Sequence, residues 1–132
     1  MNFGEKIRNG RIAKGLSQDT LAEMTGLSRR TIQNYESGEK MPKKRDTYTV
    51  LAGALDIDEA LLFDESAAFI LKAQEQYGSD AMRQAMSLVS DVHTLWAGGE
   101  MAEEDIDEIM RALQEAYWDA KKKNRERGSS DE

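Results

Sequence analysis

The chain has no cysteine, one proline and one histidine in 132 residues. Without cysteine there is no disulfide, no thiolate metal site and no thiol nucleophile. His93 stands alone, so no histidine cluster exists; a single histidine on an apolar helix face is more often a hydrogen-bonded core or interface residue than a ligand or base. No apolar run approaches the roughly eighteen residues of a membrane span. The opening stretch MNFGEKIRNGRIAKG holds no signal-peptide core either. The expectation is a soluble, cytoplasmic chain without membrane contact. Aromatic residues make up 7%, which predicts a core of aliphatic side chains, Met and Ala. The acidic run EEDIDE lacks the spacing and turn glycine of a calcium loop, and acids in the first turn of a helix are the ordinary explanation. There is no phosphate loop and no nucleophile elbow. No cofactor, metal or catalytic residue is expected, and an enzyme is not expected.

Charge is unevenly spread. The net charge is −7, which taken alone argues against a polyanionic partner. Residues 1–45, however, hold ten Lys/Arg against five Asp/Glu, a local +5. Residues 65–132 hold eight against fifteen, a local −7. A basic head and an acidic remainder predict two jobs.

The first half is a string of short helices. Phe3 and Ile7 lie one turn apart, and Gly15 ends that helix. In LSQDTLAEMTG, Ser17 is placed to cap a helix carrying Leu21, Ala22 and Met24, and Gly26 then permits a tight turn. Ser28 opens the next helix, RRTIQNYES, in which Ile32 and Tyr35 form an inward stripe; Gly38 closes it. The basic loop EKMPKKRD contains the only proline. DTYTVLAGALDI and DEALLFD supply two more helices, with Tyr48, Leu51, Ala52 and Leu55 spaced for burial.

The stretch GLSQDTLAEMTGLSRRTIQNYESGEKMP resembles the helix-turn-helix of Cro/C1-type (Xre-family) bacterial and phage repressors, and the resemblance covers about residues 3–64. It implies an all-α fold with a five-helix lambda-repressor-like DNA-binding domain over 1–64. It also implies a role for each residue. Arg29, Arg30 and Asn34 would read bases in the major groove, with Gln33 a weaker candidate, because arginine pairs bidentately with guanine and amides with adenine. Seen alone, the same helix face would serve solubility. Gln18, Ser28, Lys40, Lys43, Lys44 and Arg45 would meet phosphates, although capping and solvation account for them equally well one by one. Arg11 and Glu36 would form an internal ion pair, which removes Arg11 from the DNA contacts. Gly10 departs from the pattern, where a larger apolar residue is usual, at a cost of about 1 kcal/mol in helix propensity.

The second half is predicted to be helical over 65–125, with a disordered tail at 126–132. Phe69, Ile70, Leu71 and Tyr77 mark a first helix. The segment from Ser79 carries Met82, Ala85, Met86, Leu88, Val89, Val92, Leu95 and Trp96, a set wide enough to predict cover on two sides. After Gly98 and Gly99 comes a last helix, acidic at its start and basic at its end, with Ile106, Ile109, Met110, Leu113, Ala116, Tyr117 and Ala120 as its stripe. Met86, Val89, Trp96, Ile106, Ile109, Met110, Leu113 and Tyr117 are the expected oligomer interface; packing on the head in one larger monomer is the other reading. The expected function is a dimeric repressor on a near-palindromic double-stranded operator. The alternatives are an antitoxin that binds a protein toxin and autoregulates its operon, and a phage-type immunity repressor removed by a partner protease.

Overall fold

In the computed structural model the described residues are 2–99 and 101–130, and the side chains of Trp96, Glu103 and residues 125–130 lie outside the description. The described residues form eight helices and no strand: α1 (Phe3–Ala13), α2 (Gln18–Thr25), α3 (Arg29–Ser37), α4 (Arg45–Leu55), α5 (Glu59–Leu62), α6 (Glu65–Tyr77), α7 (Ser79–Ala97) and α8 (Glu103–Ser130). None is long and apolar enough to cross a membrane.

The boundaries follow local chemistry. Asn2, Ser17, Ser28, Asp58 and Asp64 each cap a helix through a side-chain oxygen that accepts a backbone N–H. Gly26 and Gly38 end α2 and α3 at φ of 73° and 83°, a region costly for any side chain.

The chain divides into two compact units, 1–82 and 83–132. Packing thus carries the first unit beyond the change of charge near residue 64, to include α6 and the start of α7. Its core holds Ile7, Leu21, Ile32, Leu51, Leu55 and Leu62, all essentially inaccessible. Each contributes about 1.5–3 kcal/mol relative to exposure. α3 packs on α1 and α2, and α4 packs on α1, α2 and α5.

The low aromatic content predicts a core of aliphatic side chains, Met and Ala, and the core departs from that. Four rings run edge-to-face through it. Tyr35 meets Phe3 (5.7 Å between centroids), Phe3 meets Tyr48 (5.4 Å) and Tyr48 meets Phe63 (4.9 Å). Such pairs add about 0.5–1.5 kcal/mol each beyond the area they bury. Few aromatics suffice because these four converge from α1, α3, α4 and the end of α5.

Three other expectations change. Met24 is 51% exposed and Leu95 53% exposed, so neither belongs to a core. In α7 the buried residues Ala81, Met82, Ala85, Val89 and Val92 form one stripe, with Met86 and Leu88 half-buried beside it, so that helix is not covered on two sides. The backbone of 126–130 continues α8 rather than forming an irregular tail; basic residues over the last turns suit the helix C-terminus.

Two glycines of α1 behave oppositely. A Cβ at Gly10 would lie 3.4 Å from the side chain of Leu55, an ordinary contact, whereas one at Gly4 would lie 2.6 Å from the carbonyl oxygen of Tyr35 and 2.7 Å from that of Glu36. Gly10→Ala should therefore stabilise the protein by about 1 kcal/mol, and Gly4→Ala should destabilise it by about 2 kcal/mol or more. Thermal melting of the two variants, shifted in opposite directions by a few degrees, checks this.

Tyr48 is fully buried, and its hydroxyl makes no hydrogen bond among the described residues. Burial, reinforced by the nearby Asp64 and Tyr35, pushes the phenol well above its usual value of 10.0. The unfolded chain therefore ionises first as pH rises. The associated stability is complete below about pH 10 and falls above it. Tyr48→Phe should cost nothing at neutral pH, because no partner is lost, and should flatten the alkaline loss. Denaturant titrations at neutral pH and above pH 10 measure both effects.

Candidate nucleic-acid interface

Helices α2 and α3 meet with their first turns side by side. Ser17 and Ser28 cap them in the same manner, with Oγ accepting from the N–H of Thr20 and of Thr31 at 3.0 Å. Between them the chain turns through Gly26, and the Leu27 N–H donates to the Ala22 carbonyl at 3.1 Å. Leu27 packs on the core from the turn, and Leu21 and Ile32 from the two helices. Ala22 is small and buried, which suits closely crossing helices.

The far end of α3 is held by charge. Arg11 Nε and Nη2 donate to the two carboxylate oxygens of Glu36, both at 2.9 Å, and Arg11 Nη1 donates to the Leu16 carbonyl at 3.0 Å. The side chains are 14% and 7% exposed. Hydrogen bonding to Glu36 raises the guanidinium above its usual value despite its burial. One fork thus ties α1, the α1–α2 turn and α3 together, and Arg11 is committed inside the fold.

With the frame set, the first turns present their polar side chains together. Arg29 and Arg30 are exposed. Arg29 has a loose pairing with Asp19 at 3.6 Å, both side chains mostly solvated, so it remains adaptable. Arg30 makes no ion pair or hydrogen bond among the described residues. Gln33 is exposed, and its Nε2 donates to Gln18 Oε1 across a long 3.4 Å contact. Asn34 is half-buried; its carbonyl accepts from the Lys40 N–H at 3.2 Å, which sets the start of the following loop.

That loop is anchored from beneath. Pro42 is fully buried and Met41 packs on the core, so the exposed Lys40, Lys43 and Lys44 are displayed around a fixed point. Arg45 stands apart from them. Its guanidinium lies 3.6 Å from the centre of the Phe63 ring and 3.6 Å from Glu59, a cation–π contact that commits it to α5. Neither the Arg45 contacts nor the Asp19–Arg29 pairing is anticipated by sequence reading, because both join residues far apart or on different helices. The arrangement offers guanidinium and amide groups at one surface with ammonium groups beside it, a set able to meet base edges and phosphates together.

The residues expected to form an oligomer interface lie elsewhere, on α7 and α8. Val89, Ile106 and Met110 are buried within the chain itself, so these three are not available to a partner in this arrangement. Met86, Ile109, Leu113 and Tyr117 are half-buried, and the side chain of Trp96 lies outside the described residues. Tyr117 Oη donates to Gln84 Oε1 at 3.4 Å within the second unit.

Residues 7–62 match the family model described as "Helix-turn-helix". Over 113 residues the chain is 31% identical to the SPbeta prophage-derived uncharacterized HTH-type transcriptional regulator YonR of Bacillus subtilis (strain 168). That similarity spans 84% of this chain and 92% of the relative. No solved structure matches.

Replacing Glu36 with Gln removes the charge that Arg11 answers while keeping the shape. Glu36→Gln should lower stability by about 2 kcal/mol, since a mostly buried guanidinium is then left without its counter-charge. Chemical denaturation compares the two proteins. A midpoint equal to that of the unaltered chain would mean that the fork contributes nothing to the frame.

Proposed function

The chain belongs to the helix-turn-helix family of transcriptional regulators, and on that premise we propose that it is a sequence-specific repressor that binds a near-palindromic operator as a dimer in the cytoplasm. The observation that carries this reading is the first-turn surface of α3, where Arg30 is exposed and uncommitted beside Arg29, Gln33 and Asn34 on a helix braced at both ends. Arg30 pairs with guanine O6 and N7, and Asn34 with an adenine edge. Arg29 reads a base or takes a phosphate. Gln33 is the weaker reader, consistent with its tie to Gln18. Gln18 and Ser28, at the helix N-termini, meet phosphate oxygens together with backbone N–H groups. Lys40, Lys43 and Lys44 meet the same backbone, whereas Arg45 contributes less because Phe63 and Glu59 hold it.

Affinity needs a second copy. Residues 1–64 carry ten bases and ten acids, so bulk charge does not hold a single head on DNA. One α3 reads only a few base pairs. Two copies joined through the second unit place their α3 helices about 34 Å apart, one turn of B-form DNA.

Two substitutions separate reading from anchoring. Arg30→Ala should cost about 1–3 kcal/mol on the operator and relax preference at one base pair. Lys43→Ala should weaken all sequences alike and lower the salt dependence by about one phosphate. Binding isotherms on operator and scrambled DNA at several salt concentrations show both. An equal loss on every sequence for Arg30→Ala would remove it from base reading.

A further inference from the structure

The two residues that open α2 both reach across to α3. Gln18 Oε1 accepts from Gln33 Nε2 at 3.4 Å, and Asp19 Oδ1 lies 3.6 Å from Arg29 Nε. Asp19 is an odd companion for a surface that meets phosphates. A carboxylate suits the first turn of a helix, but here it stands next to Gln18, itself proposed as a phosphate contact. It also singles out one cation. Arg30, Lys40, Lys43 and Lys44 make no ion pair among the described residues, whereas Arg29 does. The approach is to Nε, at one side of the guanidinium. The fork of Nη1 and Nη2 lies beyond it with its N–H donors. Guanine asks for two aligned donors, to O6 and N7. A phosphate asks chiefly for net charge. Beside a carboxylate the guanidinium keeps its outward donors while its charge is answered.

We propose that Asp19 is a positioning residue that sets specificity: it holds Arg29 for a guanine edge and withholds it from the phosphate backbone. The proposal rests on the base-reading role of α3 above, and it assigns Arg29 one of the two contacts left open there. On the operator the pair stays intact while Arg29 meets its guanine. On other sequences no guanine is in place, and Arg29 gains a phosphate only by leaving Asp19. Specificity is a difference of affinities, and penalising the wrong partner widens it. Both side chains are mostly exposed in the free chain, at 60% and 66%, so the pair is weak there. Water leaves this surface when DNA docks, and the lower local dielectric strengthens the pair where it acts.

The test is Asp19→Asn in the full chain, which removes the charge and keeps the shape. Binding isotherms at several salt concentrations compare three kinds of duplex: a site recovered by selection from random DNA, that site with each base pair changed in turn, and a scrambled sequence. Scrambled DNA should be bound about fivefold more tightly, and the selected site within about twofold of the unaltered chain. The salt dependence on scrambled DNA should steepen by about one phosphate. Preference should relax at one base pair, the same one that Arg29→Ala relaxes and a different one from that relaxed by Arg30→Ala. Loss of a first-turn carboxylate alone would lower the melting temperature slightly and leave base preference as it was. That outcome overturns the proposal, as does an equal gain on every sequence, which plain repulsion of DNA by Asp19 would give. Either result leaves the base-reading role of α3 standing if Arg30→Ala still relaxes preference at one pair. No relaxation with Arg30→Ala removes that role, and the proposal with it.

Discussion

The guanidinium of Arg11 is clamped between the carboxylate of Glu36 and the carbonyl of Leu16, and the direction in which α3 points depends on it. Helix α3 is only nine residues long, too short to hold its own orientation by length. Its first turn is fixed by the Ser28 cap and the Gly26 turn, and its last turn by Glu36. Gly4, in the first turn of α1, permits a close approach to the same end of α3, since the carbonyls of Tyr35 and Glu36 occupy the space where a Cβ would sit. A buried ion pair of this sort adds less stability than geometry. Geometry is what the proposed base reading needs, because a bidentate contact from Arg30 would tolerate little displacement of the helix that carries it.

Charge divides the chain's tasks. The exposed lysines of the loop after α3 are held around the buried Pro42, following the C-terminal end of that helix. The acids of the first unit lie mainly in and after α4, where Glu59 and Asp64 pair with Arg45 and Lys6. Lys6 and Arg45 are thereby paired within the unit, while Arg30, Lys40, Lys43 and Lys44 are exposed. The excess negative charge of residues 65–132 keeps that half from competing for DNA.

The helix-turn-helix frame was legible because each of its features is local. Serine before a helix, glycine after it and apolar residues one turn apart are patterns within ten residues of one another, and Ser17, Gly26, Ser28, Ile32 and Gly38 all lie where such patterns place them. What escaped was non-local. The aromatic chain from Tyr35 to Phe63 joins four segments, and a composition of 7% says nothing about whether the rings converge. The same holds for Arg45, which reads as one more base in a basic loop until the fold brings Phe63 beneath it. In the second half the apolar positions were visible but their partners were not. Met24 and Leu95 are spaced like core residues and face outward, while Val89, Ile106 and Met110 read as a free stripe and are covered by the chain itself.

The central claim is that α3 gives this chain sequence-specific recognition of double-stranded DNA. Selection of binding sites from a pool of random double-stranded DNA by the full-length protein tests it most directly. The account predicts enrichment of sites with two inverted half-sites whose centres lie about one helical turn apart, each containing a guanine and an adenine as its most constrained positions. Recovered DNA with no sequence preference over the starting pool would contradict it.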